Sequence, residues 1–310
     1  MLEIFKTIND SLQRLENFEE GVWVNLTVPA EEEIKQVSEA LHIETEFLKA
    51  ALDEEERARI EFEGGQTLIL VDIPIIERQG NANVYTTIPL GIILTRESIV
   101  TVCLKEDTLI KDFVNGRVKS FYTQYKNRFI LQILYKNSTQ YLQYLRHIDK
   151  ISGRIEQDLH KSMKNKELFQ LLKLEKSLVY FSTSLKANEI VLEKMLRTEN
   201  IKKYPDDTEL LEDVIIENKQ AIEMATIYSS ILSGTMDAFA SIISNNVNIV
   251  MKFLTSVTIV LAIPTMVASF FGMNVKIPYK DNPHAFTIVL TISLVLSSLS
   301  VLLLARKRMF

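Results

Sequence analysis

The stretch FLTSVTIVLAIPTMVASFF, residues 253–271, decides how this chain is read. It is followed by Gly272-Met273-Asn274, a short loop, and a second apolar stretch, AFTIVLTISLVLSSLSVLLLA, residues 285–305. Each stretch is uncharged and about 20 residues long, enough for a helix to cross a ~30 Å hydrocarbon core. The sequence therefore predicts a helical hairpin in a membrane near the C-terminus, preceded by residues that read as soluble.

Working back from the first span, no Pro interrupts the chain between Pro205 and Pro264, and Gly234 is the only Gly before Gly272. The pattern predicts one helix from about Asp207 to Phe271, with Asp206 or Asp207 available as its cap. Steps of three or four from Asp237 give Ser241, Ser244, Asn248, Met251, Thr255, Thr258, Ala262, Thr265, Ser269 and Gly272. Nearly all are small or polar, while intervening positions such as Ile242, Val250, Phe253, Val257, Val260 and Val267 are bulky and apolar. A face turned to lipid gains nothing from such a stripe. Close helix packing through small residues and hydroxyls bonding back to their own helix are two explanations. A water-filled pore lined by the same face of several subunits is the third, favoured because the stripe continues past the span to an acidic residue. Two spans per chain cannot enclose a conduit, so a pore requires a closed oligomer.

Upstream, residues 1–107 read as α/β. Strand patterns fall at Gly21–Thr27, Ala58–Glu63, Thr67–Ile76, Val84–Leu94 and Ser98–Leu104, with Gly64-Gly65 as a turn. Helical spacing falls at Glu31–Leu41 and Glu44–Leu52. From Thr108 the pattern is helical almost without break: Phe121–Met163, a polar interruption at Lys164-Asn165-Lys166, then Glu167–Leu196. The expected organisation is a cytosolic α/β domain (1–107), a helical hairpin (108–206), a stalk helix (207–250) continuous with a pore-lining span (251–271), an outer loop (272–284), a second span (285–305) and a basic tail (306–310). The fold class is thus an α+β membrane protein.

Charge sets the orientation. Lys252, Arg306, Lys307 and Arg308 flank the spans on one side, against Lys276 and Lys280 in the loop, which places both termini inside. Met1-Leu2-Glu3-Ile4-Phe5-Lys6 lacks the basic start and apolar run of a secretory signal. Residues 1–107 hold 22 acidic and 9 basic residues, whereas 117–166 hold 11 basic and 3 acidic. The basic residues are spread through helical periodicity, as expected of a solvated face and not of a nucleic-acid arm. The lone Cys103 reads as core filler in a reducing compartment.

The Gly272-Met273-Asn274 signature, ending the first of two C-terminal spans, resembles that of the CorA magnesium channels, and the resemblance extends over essentially the whole chain. It implies a homopentameric funnel in the cell membrane that passes hydrated Mg²⁺, and often Co²⁺ or Ni²⁺, inward down the membrane potential. Carried over by position, Gly272, Met273 and Asn274 would form the selectivity filter, and Thr265 a second polar ring. Met251 and Leu254 would form a hydrophobic gate, and Asn248 and Asp237 would line the stalk. Mg²⁺ sheds water reluctantly, so a ring of neutral amide oxygens suits a hydrated ion. Two charges crossing 100 mV release about 4.6 kcal/mol.

Two features depart from the family. Its members usually close when Mg²⁺ binds between carboxylates of neighbouring subunits. Asp213 matches one partner, but Leu48-Lys49-Ala50 has Ala50 where an acid is expected, leaving Asp53 or Glu54 as substitutes. The outer loop carries only Asp281. Among rival readings, an enzyme lacks support: His42, His147, His160 and His284 are scattered, and there is no Gly-rich phosphate loop. No organic cofactor is expected. A zinc transporter of the same superfamily and a membrane-anchored structural coiled coil remain as alternatives.

Overall fold

The computed structural model describes residues 1–79, 82–162, 165–198, 204–274 and 283–307. The chain divides into two compact units, Met1–Gly234 and Thr235–Phe310.

The first unit is built on a seven-stranded sheet. Its strands are β1 (Leu2–Ile8), β2 (Ser11–Leu15), β3 (Trp23–Thr27), β4 (Arg59–Glu63), β5 (Gln66–Gln79), β6 (Ala82–Leu94) and β7 (Ile99–Cys103). Their order is β2-β1-β3-β7-β6-β5-β4. Only β3 and β7 pair in parallel; the other neighbours are antiparallel. Helices α1 (Glu31–Leu41) and α2 (Thr45–Ala50) form the connection after β3. They cover one face, where Ile34, Val37, Phe47 and Leu48 join Val24, Leu26, Leu70, Ile93 and Val102 in one core. Gly91 on β6 is required there, because a Cβ at that position would stand 2.8 Å from the Ala51 Cβ.

The opposite face carries α3 (Thr108–Val114), α4 (Lys126–Ser162), α5 (Asn165–Leu196) and the beginning of α6 (Pro205–Phe271). Trp23, Val71, Ile73, Leu90 and Ile92 of the sheet share a second core with Phe113, Phe129, Ile133, Val191, Met195, Leu211 and Val214. Both faces of the sheet are therefore buried, which explains why its central strands read as near-continuous apolar runs. Trp23 is fully buried among Phe5, Phe113, Phe121 and Phe129, with ring centroids 5.1–6.5 Å away. Its Nε1–H donates to Thr101 Oγ1 at 2.8 Å, and that hydroxyl donates to Asn25 Oδ1 at 3.0 Å, which gives Asn25 its place in the core.

Past residue 70, β5 runs beyond the end of β4, whose Arg59 pairs with Leu70. Asp72 faces Pro89 on β6, which has no N–H to offer. The open edge is closed by the helices. The Asp72 N–H donates to Asn188 Oδ1 at 2.8 Å, and the Asp72 carbonyl accepts from Asn188 Nδ2 at 2.8 Å, Asn137 Nδ2 at 2.9 Å and the Tyr141 hydroxyl at 3.2 Å. Asn188 thus satisfies both backbone groups as a neighbouring strand would.

Three expectations need correction. The helical reading from Thr108 breaks over residues 115–125, where Gly116 (φ +67) and Ser120 (φ 58) are left-handed. Phe121 is buried in the aromatic cluster, and Lys126 opens α4 by donating to the carbonyls of Thr95 and Arg96. Core burial of Phe121 outweighs its helical spacing. The polar interruption after α4 is shorter than expected, since Asn165 already belongs to α5. Helix α6 starts at Pro205, ahead of both proposed capping acids, with the Tyr204 carbonyl accepting from the N–H groups of Asp207 and Thr208. Proline at the first helical position suits an N-terminus. Asp207 is instead buried in the first turn, 3.6 Å from Arg128. The β1–β2 hairpin, turned through Asn9 and Asp10 with φ of 48° and 59°, has no counterpart in the sequence reading.

Candidate ion pathway

The second unit contains the C-terminal part of α6 and α7 (Ala285–Arg306), which among the described residues are the two helices long and apolar enough to cross a membrane. α6 runs unbroken through residues 207–271, as its sequence predicts. Most of their large side chains are exposed, among them Phe253, Leu261, Phe270, Phe286, Leu294 and Leu302. Side chains of this kind gain nothing from water and are at home in lipid.

The least exposed positions recur at steps of three and four. On α6 they include Ser256, Val260, Ile263 and Val267, with Val257 beside them; on α7 they include Ala285, Val289, Ser293, Ser297, Ser300 and Leu304, with Ile288 beside them. Each row is the covered side, or seam, of its own helix. Ser256 is fully buried and its hydroxyl donates to the Lys252 carbonyl at 2.9 Å. The α7 row is rich in serine, and Ser297 Oγ has no partner among the described residues. This seam was missed in the sequence, although serines at 293, 297 and 300 within a Leu/Val/Ile helix carry the signal.

The polar stripe lies elsewhere. At about 100° per residue, the seam positions of α6 fall within roughly 40° of Ser256, whereas Met251, Leu254, Thr255, Thr258, Ala262, Thr265 and Ser269 fall roughly 160–260° from it. All seven stripe positions are exposed, as are Asp237, Ser241, Ser244 and Asn248. The stripe therefore lies opposite the covered side of its own helix.

Back-bonding is present. Ser241 donates to the Asp237 carbonyl at 3.0 Å, Thr255 to Met251 at 2.8 Å, Thr258 to Leu254 at 2.8 Å and Thr265 to Leu261 at 3.1 Å. Each hydroxyl thereby commits its one proton to the helix and keeps acceptor lone pairs outward. A row of acceptors is complementary to the outward-pointing hydrogens of water around a cation. Back-bonding and a hydrated path are compatible.

The Gly-Met-Asn segment closes the helix. The Gly272 N–H donates to the Ala268 carbonyl at 2.9 Å, and Met273 to Phe270 at 3.4 Å. A Cβ on Gly272 would stand 3.2 Å from the Ala268 carbonyl oxygen, a close approach that glycine avoids. Met273 and Asn274 are exposed beyond the last turn. The loop residues Lys276, Lys280 and Asp281, together with Arg308 of the tail, lie outside the described residues.

The acids considered for regulation are spread over the surface of the first unit. Asp53 and Glu54 follow α2, and Asp213 lies on α6; all three are exposed. Asp53 Oδ1 accepts from the Glu55 N–H at 3.0 Å. Glu54 is paired with Lys105 at 2.8 Å, and Lys105 also reaches Glu77 at 2.6 Å. These two carboxylates hold the Lys105 pKa above its ordinary value. Among the described residues no three His, Cys, Asp or Glu side chains converge to hold a metal ion.

Apolar helices this exposed suit a lipid surrounding, and an exposed polar row along one of them suits something other than lipid. The class defined in this way is a membrane transporter with two spans per chain. The chain belongs to the CorA-like Mg²⁺ transporter family, whose model matches residues 18–307. It is similar to the cobalt/magnesium transport protein CorA of Methanocaldococcus jannaschii, with 27% identity over 295 residues, covering 92% of this chain and 90% of that protein. The complete structure of the CorA magnesium transporter from that organism has a TM-score of 0.85 at 25% identity, over 98% of this chain and 96% of the other. The cytoplasmic domain of ZntB from Vibrio parahaemolyticus, at 11% identity and a TM-score of 0.60, covers 79% of this chain and 96% of its own, and shows a shared fold alone.

Proposed function

We propose that this chain forms a homopentameric pathway that takes up hydrated Mg²⁺ across the cell membrane, driven inward by the membrane potential, with both termini in the cytosol. The supporting observation is the position of the stripe: it faces away from the covered seam of α6 and is lined by hydroxyl acceptors. Five copies of that face around one axis would enclose the path. Asn274, with Gly272 and Met273, would hold the hydrated ion at the outer mouth. Thr265, Thr258, Ser269 and Ala262 would line the span, Met251 and Leu254 would close it by dewetting, and Asn248, Ser244, Ser241 and Asp237 would lead the ion to the cytosol. A hard cation suits this lining better than zinc, which favours nitrogen and sulfur ligands; none of the chain's four His or its Cys falls between 235 and 274. Co²⁺ and Ni²⁺ are further cargo within this reading. Divalent closure through Asp213 and Asp53 would be weak, because Ala50 supplies no ligand and Glu54 is already paired with Lys105.

The test is Mg²⁺ flux into liposomes carrying the purified protein. Asn274→Ala should abolish uptake while leaving the assembly intact by size. Wild-type flux from this variant would overturn the assignment of the filter.

A further inference from the structure

A second charged feature lies wholly within Met1–Gly234, away from the spans. Where the β5–β6 arm crosses α4 and α5, it borders a cavity of about 480 Å³. Three cations from three elements line it: Arg78 from β5, Arg154 from α4 and Lys173 from α5. Among the described residues none of the three side chains has an ion-pair or hydrogen-bond partner. On the same unit Arg117 and Lys136, by contrast, share Asp112 at 3.0 and 2.8 Å. The acid in the lining is Asp158, which has a partner of its own.

The cavity has two chemically distinct sides. Ile151 and Ile155 lie at i and i+4 on α4, and the buried Leu174 faces in from α5. These form an apolar patch beside the cations. Asn83, directly across the strand pair from Arg78, adds an amide. A volume of this size falls in the range of organic-ligand sites, roughly 300–1,000 Å³, and exceeds what a bare anion needs. Guanidinium groups bind phosphate oxygens through paired N–H donors, and an ammonium group adds a compact point charge. An occupant must therefore carry several negative charges at one end and a flat apolar group at the other.

We propose that this cleft binds a nucleoside di- or triphosphate, with the phosphates among Arg78, Arg154 and Lys173 and the base against Ile151, Ile155 and Leu174. Such a ligand would tie the β5–β6 arm to the α4–α5 hairpin and neutralise the charge gathered there.

The test uses the full-length protein in detergent without divalent cations, so that chelation by the nucleotide plays no part. ADP, ATP and inorganic phosphate are titrated separately, with binding heat and the thermal unfolding midpoint as readouts. Saturable nucleotide binding that raises the midpoint is expected, with inorganic phosphate weaker by roughly tenfold or more. Arg154→Gln and Lys173→Gln should each weaken nucleotide binding by about tenfold, the loss of one charge-assisted contact, without moving the ligand-free midpoint. Arg78→Gln, on the exposed arm, gives the same comparison from a separate element if either helix variant fails to fold. The proposal is overturned by no saturable binding up to millimolar nucleotide, by phosphate binding as tightly as nucleotide, or by Gln variants that keep wild-type affinity.

Discussion

Replacing Asn188 by Ala should be among the most damaging single changes in the first unit. Asn188 is 3% exposed and completes the open edge of β5 by serving both the N–H and the carbonyl of Asp72. Without it, the Asp72 N–H has no acceptor in the dry interface, and a buried unsatisfied group costs about 1–3 kcal/mol. The carbonyl suffers less, because Asn137 and Tyr141 still donate to it. With a small packing loss added, the total is roughly 2–4 kcal/mol. For a unit of this size that corresponds to a fall in unfolding midpoint of roughly 5–15 °C. Asn137→Ala is the internal control. It removes one of three donors to the same carbonyl, and its own Oδ1 has no partner among the described residues, so it should cost only about 1 kcal/mol. Scanning calorimetry or intrinsic fluorescence of the full-length protein in detergent, with Trp23 as a core reporter, measures both. Equal losses in the two variants, or a larger loss from Asn137→Ala, would refute the account of the sheet edge.

Two further predictions concern the path and the pH response. In a Cys103→Ser background, single cysteines at Thr255, Thr258 and Ala262 should let water-soluble thiol reagents block flux, whereas cysteines at Phe253, Val257 and Val260 should not; faster reaction of the second set would make the stripe a packing surface. Cys103 itself is buried and its thiol is pushed up to about 12, so even unreplaced it should contribute little background. Asp107 caps α3 by accepting from the Ile110 N–H at 2.8 Å, and burial raises its carboxyl from the ordinary 3.8 to about 6. The folded state then binds the proton more tightly than the unfolded state. The contribution is fully present below about pH 4 and is lost as pH rises through about 6, by up to roughly 3 kcal/mol. Asp107→Asn keeps a capping side chain without the charge, so it should flatten this pH dependence and hold or raise stability at pH 7. A variant whose unfolding midpoint keeps the wild-type slope between pH 4 and 6 would show that the titrating group is another one.

Much of the molecule is legible because its signals are local. The span lengths, the uninterrupted α6 and the placement of the Gly-Met-Asn segment follow from composition and spacing alone. So do the Gly64-Gly65 turn, with φ of +57° and +77°, and the strands whose apolar runs are buried on both faces. The polar stripe is equally a matter of helical periodicity. Its direction is not, because a period gives a face but not the neighbour that the face avoids. Only the burial of Ser256 and Val267 shows that the stripe lies away from the covered side of α6.

The remaining features depend on residues far apart in the chain. The β1–β2 hairpin is an edge element with charged outward positions, so its strands carry little apolar alternation of their own, and β1 is held by its pairing with β3. The helical period at Phe121 yields to an aromatic cluster assembled from Phe5, Trp23, Phe113 and Phe129. The Lys105 bridge to Glu54 and Glu77 and the Asn188 contact with Asp72 join positions that no spacing rule connects. Sequence by itself determined the long helices, the two apolar spans and the polar stripe, since those follow from the short-range periodicity of one chain segment. Tertiary structure alone decided which faces are covered and which carboxylates are already neutralised, since burial and charge pairing are set by segments that meet only in the fold.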